Sequence, residues 1–193
     1  RGETNLPTVN YAEPNLAYVY DNTLFGYVGP FYGRRSRLEV AQAVGGWNFT
    51  QLLADYRRYD KVVGPFTLAT RALYFGRIGA SADRFKIFLG RTDLLRGYTS
   101  GSFTRNECFT ATITCTPFDR LVGEQIAVGS AELRFPILNS SMGFVPLGFP
   151  PIEGAVFYDA GIAWDGGNTL KWSRDPGDGP LAVPRRIQGH RLG

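Results

Sequence analysis

Five stretches of the chain alternate polar and apolar side chains with period two. In residues 34–44, RRSRLEVAQAV, Arg35, Arg37 and Glu39 share one parity while Leu38 and Val40 take the other. Residues 49–59, FTQLLADYRRY, set Gln51, Asp55 and Arg57 against Leu52, Ala54 and Tyr56. Residues 65–75, PFTLATRALYF, set Thr67 and Arg71 against Phe66, Leu68, Ala72 and Tyr74. In 126–137, Ser130, Glu132 and Arg134 oppose Ala131, Leu133 and Phe135; in 155–164, Asp159 opposes Val156, Tyr158, Ile162 and Trp164. Successive side chains of a strand point to opposite faces, so the pattern predicts an all-β fold with one polar and one apolar face.

Two architectures share that pattern. A soluble sandwich turns the polar face to water, whereas a transmembrane antiparallel barrel turns it to the lumen and the apolar face to lipid. Periodicity leaves both open. Two details favour the barrel: full charges such as Arg71 and Glu132 sit in mid-strand on the polar parity. The apolar parity also carries Tyr56, Tyr74 and Trp164, the residue types of interfacial girdles.

The connections are uneven. Tight turns are expected at GWN, 46–48, and VVG, 62–64, but a long segment runs over about 91–119. Loops of that length are uncommon unless they are functional. This one holds DLLRGYTSGSF, residues 93–103, with Arg96 among small residues, and both cysteines, Cys108 and Cys115. After Trp164 the alternation decays into a turn-rich, basic tail.

Composition narrows the function classes. The 193 residues suit one domain, and 44% apolar content with 14% aromatics excludes disorder. The 24 glycines and 12 prolines fit short strands joined by turns. A net charge of +4 is scattered among acids with no basic stripe, so nucleic acid is not an expected partner. No apolar run approaches the roughly 18 residues of a membrane helix. The opening RGETNLPTVN has neither a starting Met nor an apolar leader, as expected of a chain whose leader was removed or of an internal piece. Cys108 and Cys115 suit a small disulfide in an oxidising compartment, with two free thiols as the alternative. The single histidine, His190, lies far off in the tail, so neither a metal site nor a histidine-based nucleophile is expected. No cofactor is expected: GPFYGRR lacks the Lys-Ser/Thr ending of a nucleotide-binding loop. Glu132 and Asp159 share the polar parity, as a carboxylate pair for glycoside chemistry would. An enzyme is not expected.

Three motifs resemble those of one family. LRGY, Leu95, Arg96, Gly97 and Tyr98, resembles the lid-loop signature of the BamA/TamA outer-membrane assembly superfamily, also called the bacterial surface antigen family. FYDAG resembles that family's strand motif, with Phe157, Asp159 and Gly161 at its fixed positions. GSAELRFPI, 129–137, is similar to the strand after the lid loop, which carries an inward glutamate before a proline. YVYDNTLFGYVGPFYGRRSRLEV, 18–40, also has the look of the family's strands.

The resemblance implies a sixteen-stranded outer-membrane barrel, of which this chain supplies about seven strands. It divides the chain into an extension or preceding loop (1–14), a partial barrel (15–165) with its lid loop at about 91–119, and an irregular tail (166–193), truncated or aberrant. In the family the lid folds back into the lumen, so Arg96 would pair with Glu132 and Asp159. Gly97 would allow close backbone approach, Tyr98 would pack on the wall, and a disulfide in the lid would join the two cysteines. The implied location is the bacterial outer membrane. The implied partners are outer-membrane lipid, client outer-membrane or secreted proteins, and accessory lipoproteins. The implied function is insertion or translocation of other proteins. A passive anchor or pore for a fused domain and a soluble all-β binding module remain the alternatives. A slice of barrel alone would present two unpaired sheet edges, which lipid does not tolerate.

Overall fold

The computed structural model describes residues 9–26, 28–96, 121–138 and 152–166. Strands form where polarity alternates: β4 (Pro30–Gly45), β5 (Phe49–Val63), β6 (Phe66–Ile78), β9 (Gln125–Leu138) and β10 (Ile152–Trp164). Three short pieces precede them, β1 (Tyr11–Ala12), β2 (Asn15–Asp21) and β3 (Leu24–Phe25). A small hairpin, β7 (Ile87–Phe88) with β8 (Val122–Gly123), and one 3-10 turn (Ala82–Arg84) belong to the connection between β6 and β9.

β1, β2 and β3 pair in turn along β4, and the sheet continues β4-β5-β6-β9-β10 with every pairing antiparallel. Among the described residues the sheet is open. Its long strands run 13 to 16 residues. At about 3.4 Å per residue and a tilt near 40° they exceed the apolar band of about 25 Å that a membrane barrel must match. The chain is thus all-β, built as a section of antiparallel barrel wall.

Register gathers the charges into adjacent rows on one face. Arg35, Arg57, Arg71, Ser130 and Asp159 are successive cross-strand partners, and Tyr59, Ala69, Glu132 and Phe157 form the next row. The other face shows Leu16, Tyr18, Leu38, Val40, Val156 and Tyr158, all exposed. So large an apolar surface is a liability in water and an asset in lipid.

The main core lies on the charged face. Leu73 of β6, Ile126 and Val128 of β9 and Ala163 of β10 are covered by Leu89, Leu95 and Leu121 of the long connection. Leu89 and Ile126 are fully buried, each stabilising by roughly 1.5–3 kcal/mol through loss of apolar surface to water. A second cluster joins Ala43 and Phe49 to Ala82, with Trp47 and Phe85 packed against it. The connection therefore folds back over the polar face and seals the apolar residues that face contains.

Candidate functional site: the seat of Arg96

A tight turn precedes Arg96: the backbone N–H groups of Leu94 and Leu95 both donate to the Arg91 carbonyl, at 3.0 and 2.8 Å. That turn sends the adjacent side chains of Leu95 and Arg96 into different surroundings. Leu95 is 4% exposed within the apolar cluster. Arg96 reaches along the wall to two acids.

The Arg96 guanidinium grips Asp159 with two parallel bonds, Nε to Oδ2 and Nη2 to Oδ1, both 2.8 Å. Its own backbone N–H donates to the same carboxylate at 3.1 Å. Nη1 donates to Glu132 Oε2. The planar fork of Arg matches a carboxylate in a way that Lys cannot. The Asp159 side chain is 4% exposed and that of Glu132 15%, so water cannot replace a missing partner for Asp159. The bonds to Asp159 push the Arg96 guanidinium above its ordinary value, against the opposing effect of burial. It stays charged at any pH the fold survives.

The strand motif on β10 has a geometric meaning in this seat. Phe157, Asp159 and Gly161 lie two residues apart and hence share the inward face. The Phe157 ring lies 3.7 Å beneath the Arg96 guanidinium carbon, Asp159 takes its two bonds, and Gly161 lies under Leu95. A Cβ at Gly161 would come within 3.0 Å of Leu89 Cδ2 and 3.1 Å of Leu95 Cδ1. The three motif positions thus receive two consecutive residues, Leu95 and Arg96. Glu132 on β9 is also held by Arg134 Nε, and Arg134 Nη1 reaches the Pro30 carbonyl at 3.3 Å.

Two further arginines of the wall hold the connection between β6 and β9 by its backbone. Arg71 Nη1 donates to the Asp93 carbonyl at 3.0 Å, while its Nε and Nη2 bond Asp55 at 3.2 and 3.1 Å. Arg57 shares the same carboxylate. Arg77 Nη1 donates to the Phe85 carbonyl at 2.8 Å and its Nε to Gln51 Oε1 at 3.0 Å. Periodicity marks Arg71 as a polar-face residue but reveals nothing of these acceptors, which are carbonyls that any residue could supply. At the root, Gly123 abuts the Trp164 backbone so closely that a Cβ would lie 2.6 Å from its nitrogen. Lys86 Nζ pairs with Asp165 at 3.2 Å, tying the same root to the end of β10.

The structure brings Leu95, Arg96, Glu132, Phe157, Asp159 and Gly161 together. Gly97, Tyr98, Cys108 and Cys115 lie outside the described residues. Each carboxylate of the cluster meets at least one guanidinium. The arrangement is suited to holding a segment in place. Among the described residues no group of three His, Cys, Asp or Glu side chains could hold a metal ion.

Comparison with known proteins agrees with this architecture. No curated protein matches the chain. The family model for the Omp85 superfamily domain matches residues 12–182, most of the sequence. The superfamily comprises bacterial outer-membrane proteins that insert or translocate other proteins. With an all-β wall, an inward charged face and a model match of that extent, the chain belongs to the Omp85 superfamily.

Proposed function

We propose that the chain forms the lid-bearing part of a bacterial outer-membrane barrel that inserts or translocates client proteins, and that Arg96 keeps the lid seated while it does so. The supporting observation is the set of four hydrogen bonds from Arg96 to acids on two neighbouring strands, β9 and β10. A lid tied to both strands makes that part of the wall and the loop one body. The barrel then keeps a defined shape while client strands engage elsewhere on it. The work is positional: no bond of the client is made or broken by this seat. Its partners on this reading are outer-membrane lipid, unfolded outer-membrane or secreted clients, and accessory lipoproteins.

Arg96→Ala placed in the full-length protein tests the reading. With the barrel itself still inserted, the yield of heat-modifiable folded client should fall several-fold. Normal client assembly by that variant would refute the role. A passive anchor or pore predicts this second result.

A further inference from the structure

We propose that the outward face carries a site for one anionic glycerophospholipid, with an acyl chain in a groove of small side chains and the phosphate on Arg34 and Arg58. The groove lies on the face away from the lid and has a volume of about 670 Å³, within the roughly 300–1,000 Å³ common for small-ligand sites. Ala72, Ala127, Gly129 and Ala160 form its floor, and Tyr56 and Tyr74 rise beside them. Register explains the hollow. Ala72, Gly129 and Ala160 are successive cross-strand partners, so three adjacent strands place almost no side chain at one level. The neighbouring Ala54 lowers β5 in the same way.

Charge sits at one end of this hollow. Arg34 and Arg58 are Cα partners across β4 and β5, two residues beyond Ser36 and Tyr56, which line the groove. Both arginines are exposed. Like charges directly opposite in a sheet repel, and a carboxylate meets one of the two: Asp60 Oδ2 accepts from Arg58 Nε at 2.8 Å. Arg34 lies over the Tyr20 ring at 5.3 Å and, among the described residues, has no carboxylate partner. One positive charge is left beside apolar surface, where a lipid phosphate would neutralise it.

The end of the barrel selects the lipid. Outer-membrane barrels keep short turns on the periplasmic side and long loops outside. The longest connection, 46 residues from β6 to β9, leaves at one end; the opposite end carries the two-residue turn from β5 to β6, Gly64 and Pro65, and the 13-residue connection from β9 to β10. Arg34 and Arg58 lie toward the short turn, and so face the leaflet built of phospholipids. The inference uses the outward face alone. Failure of the Arg96 test would leave it standing, and the reverse also holds.

Tryptophan quenching tests it. Trp164 lies 6.1 Å, ring to ring, from Tyr74 of the groove wall. The full chain, with Trp47→Phe and Trp172→Phe, is placed in non-ionic maltoside micelles. These are doped with phosphatidylglycerol or phosphatidylcholine bearing the same brominated acyl chains. Half-maximal quenching should need at least about fivefold less of the anionic lipid, the effect of one net basic charge near an anionic headgroup. Arg34→Gln with Arg58→Gln should abolish the difference, and Ala72→Leu should weaken quenching by both lipids. Equal quenching by the two lipids in the arginine-containing chain would overturn the proposal. A preference that survives the double substitution would also overturn it. The first comparison needs no charge substitution, so a variant that fails to fold leaves the test intact.

Discussion

Leu95 and Arg96 are neighbours in the chain yet hold the connection between β6 and β9 by opposite physics. Leu95 is buried among Leu89, Leu121 and Ile126, where any side chain of similar volume gains most of the same free energy. Arg96 meets carboxylates that accept only a matching donor in a matching plane. The apolar seat supplies attachment and tolerates sliding, because dispersion and loss of hydration have no direction. The charged seat supplies register, since a shift of one residue would leave Asp159 buried without its partner. Attachment and register are therefore separable properties of this lid, one residue apart.

The largest break should come from Arg96→Ala, which leaves Asp159 enclosed and unpaired beside Glu132. We expect about 3 kcal/mol of lost lid stability, the lower end for removing one partner of a buried ion pair. Hydrogen exchange over residues 91–96 would read this as a loss of protection of roughly a hundredfold. Arg96→Lys should recover only part of it, for want of the bidentate fork. Next comes Leu95→Ala, about 2.5 kcal/mol from lost burial and the cavity left behind. The comparison is sharpened if this variant loosens the lid while the charge clamp still forms, seen as retained Arg96 contacts in spectra of the guanidinium. Gly161→Ala should cost about 1 kcal/mol, because its Cβ pushes on flexible ends of Leu89 and Leu95 that can give by a few tenths of an ångström. Arg71→Gln should have the most local effect on this segment, about 1.5 kcal/mol for the bond from a charged donor to the Asp93 carbonyl, seen as faster exchange confined to that turn. If Leu95→Ala and Arg96→Ala instead gave identical exchange patterns, the division between attachment and register would fail.

The wall was legible because its physics is local. Alternation in residues 34–44 and 49–59 gives Arg37 and Asp55 the polar parity with no knowledge of distant contacts, and the register then sets the two opposite each other. Arg96, Glu132 and Asp159 were legible as a set through their motifs, and their parity independently puts both acids on one face. The covering of that face was not. Leu73 and Phe75 break the polar parity of β6, and period two alone gives no reason for them. They make sense once Leu89 and Leu95 arrive from the connection to cover them. The grips of Arg71 and Arg77 were hidden because their acceptors in the connection are backbone carbonyls, which have no signature in composition or motif. The edge along β4 was also unreadable in detail: β1, β2 and β3 are short pieces whose placement depends on their partner strand.

Arg96 finds its acids 36 and 63 residues further along the chain. As the wall is assembled strand by strand, the first grip becomes available with β9, but the fork onto Asp159 must wait until β10 has joined. The same residue that fixes the lid in space thereby dates it: a seated lid records that the strands after it have already been laid down. A pulse of protease during refolding should find residues 91–96 among the last to become fully protected, and a chain stopped before residue 159 should protect them only in part.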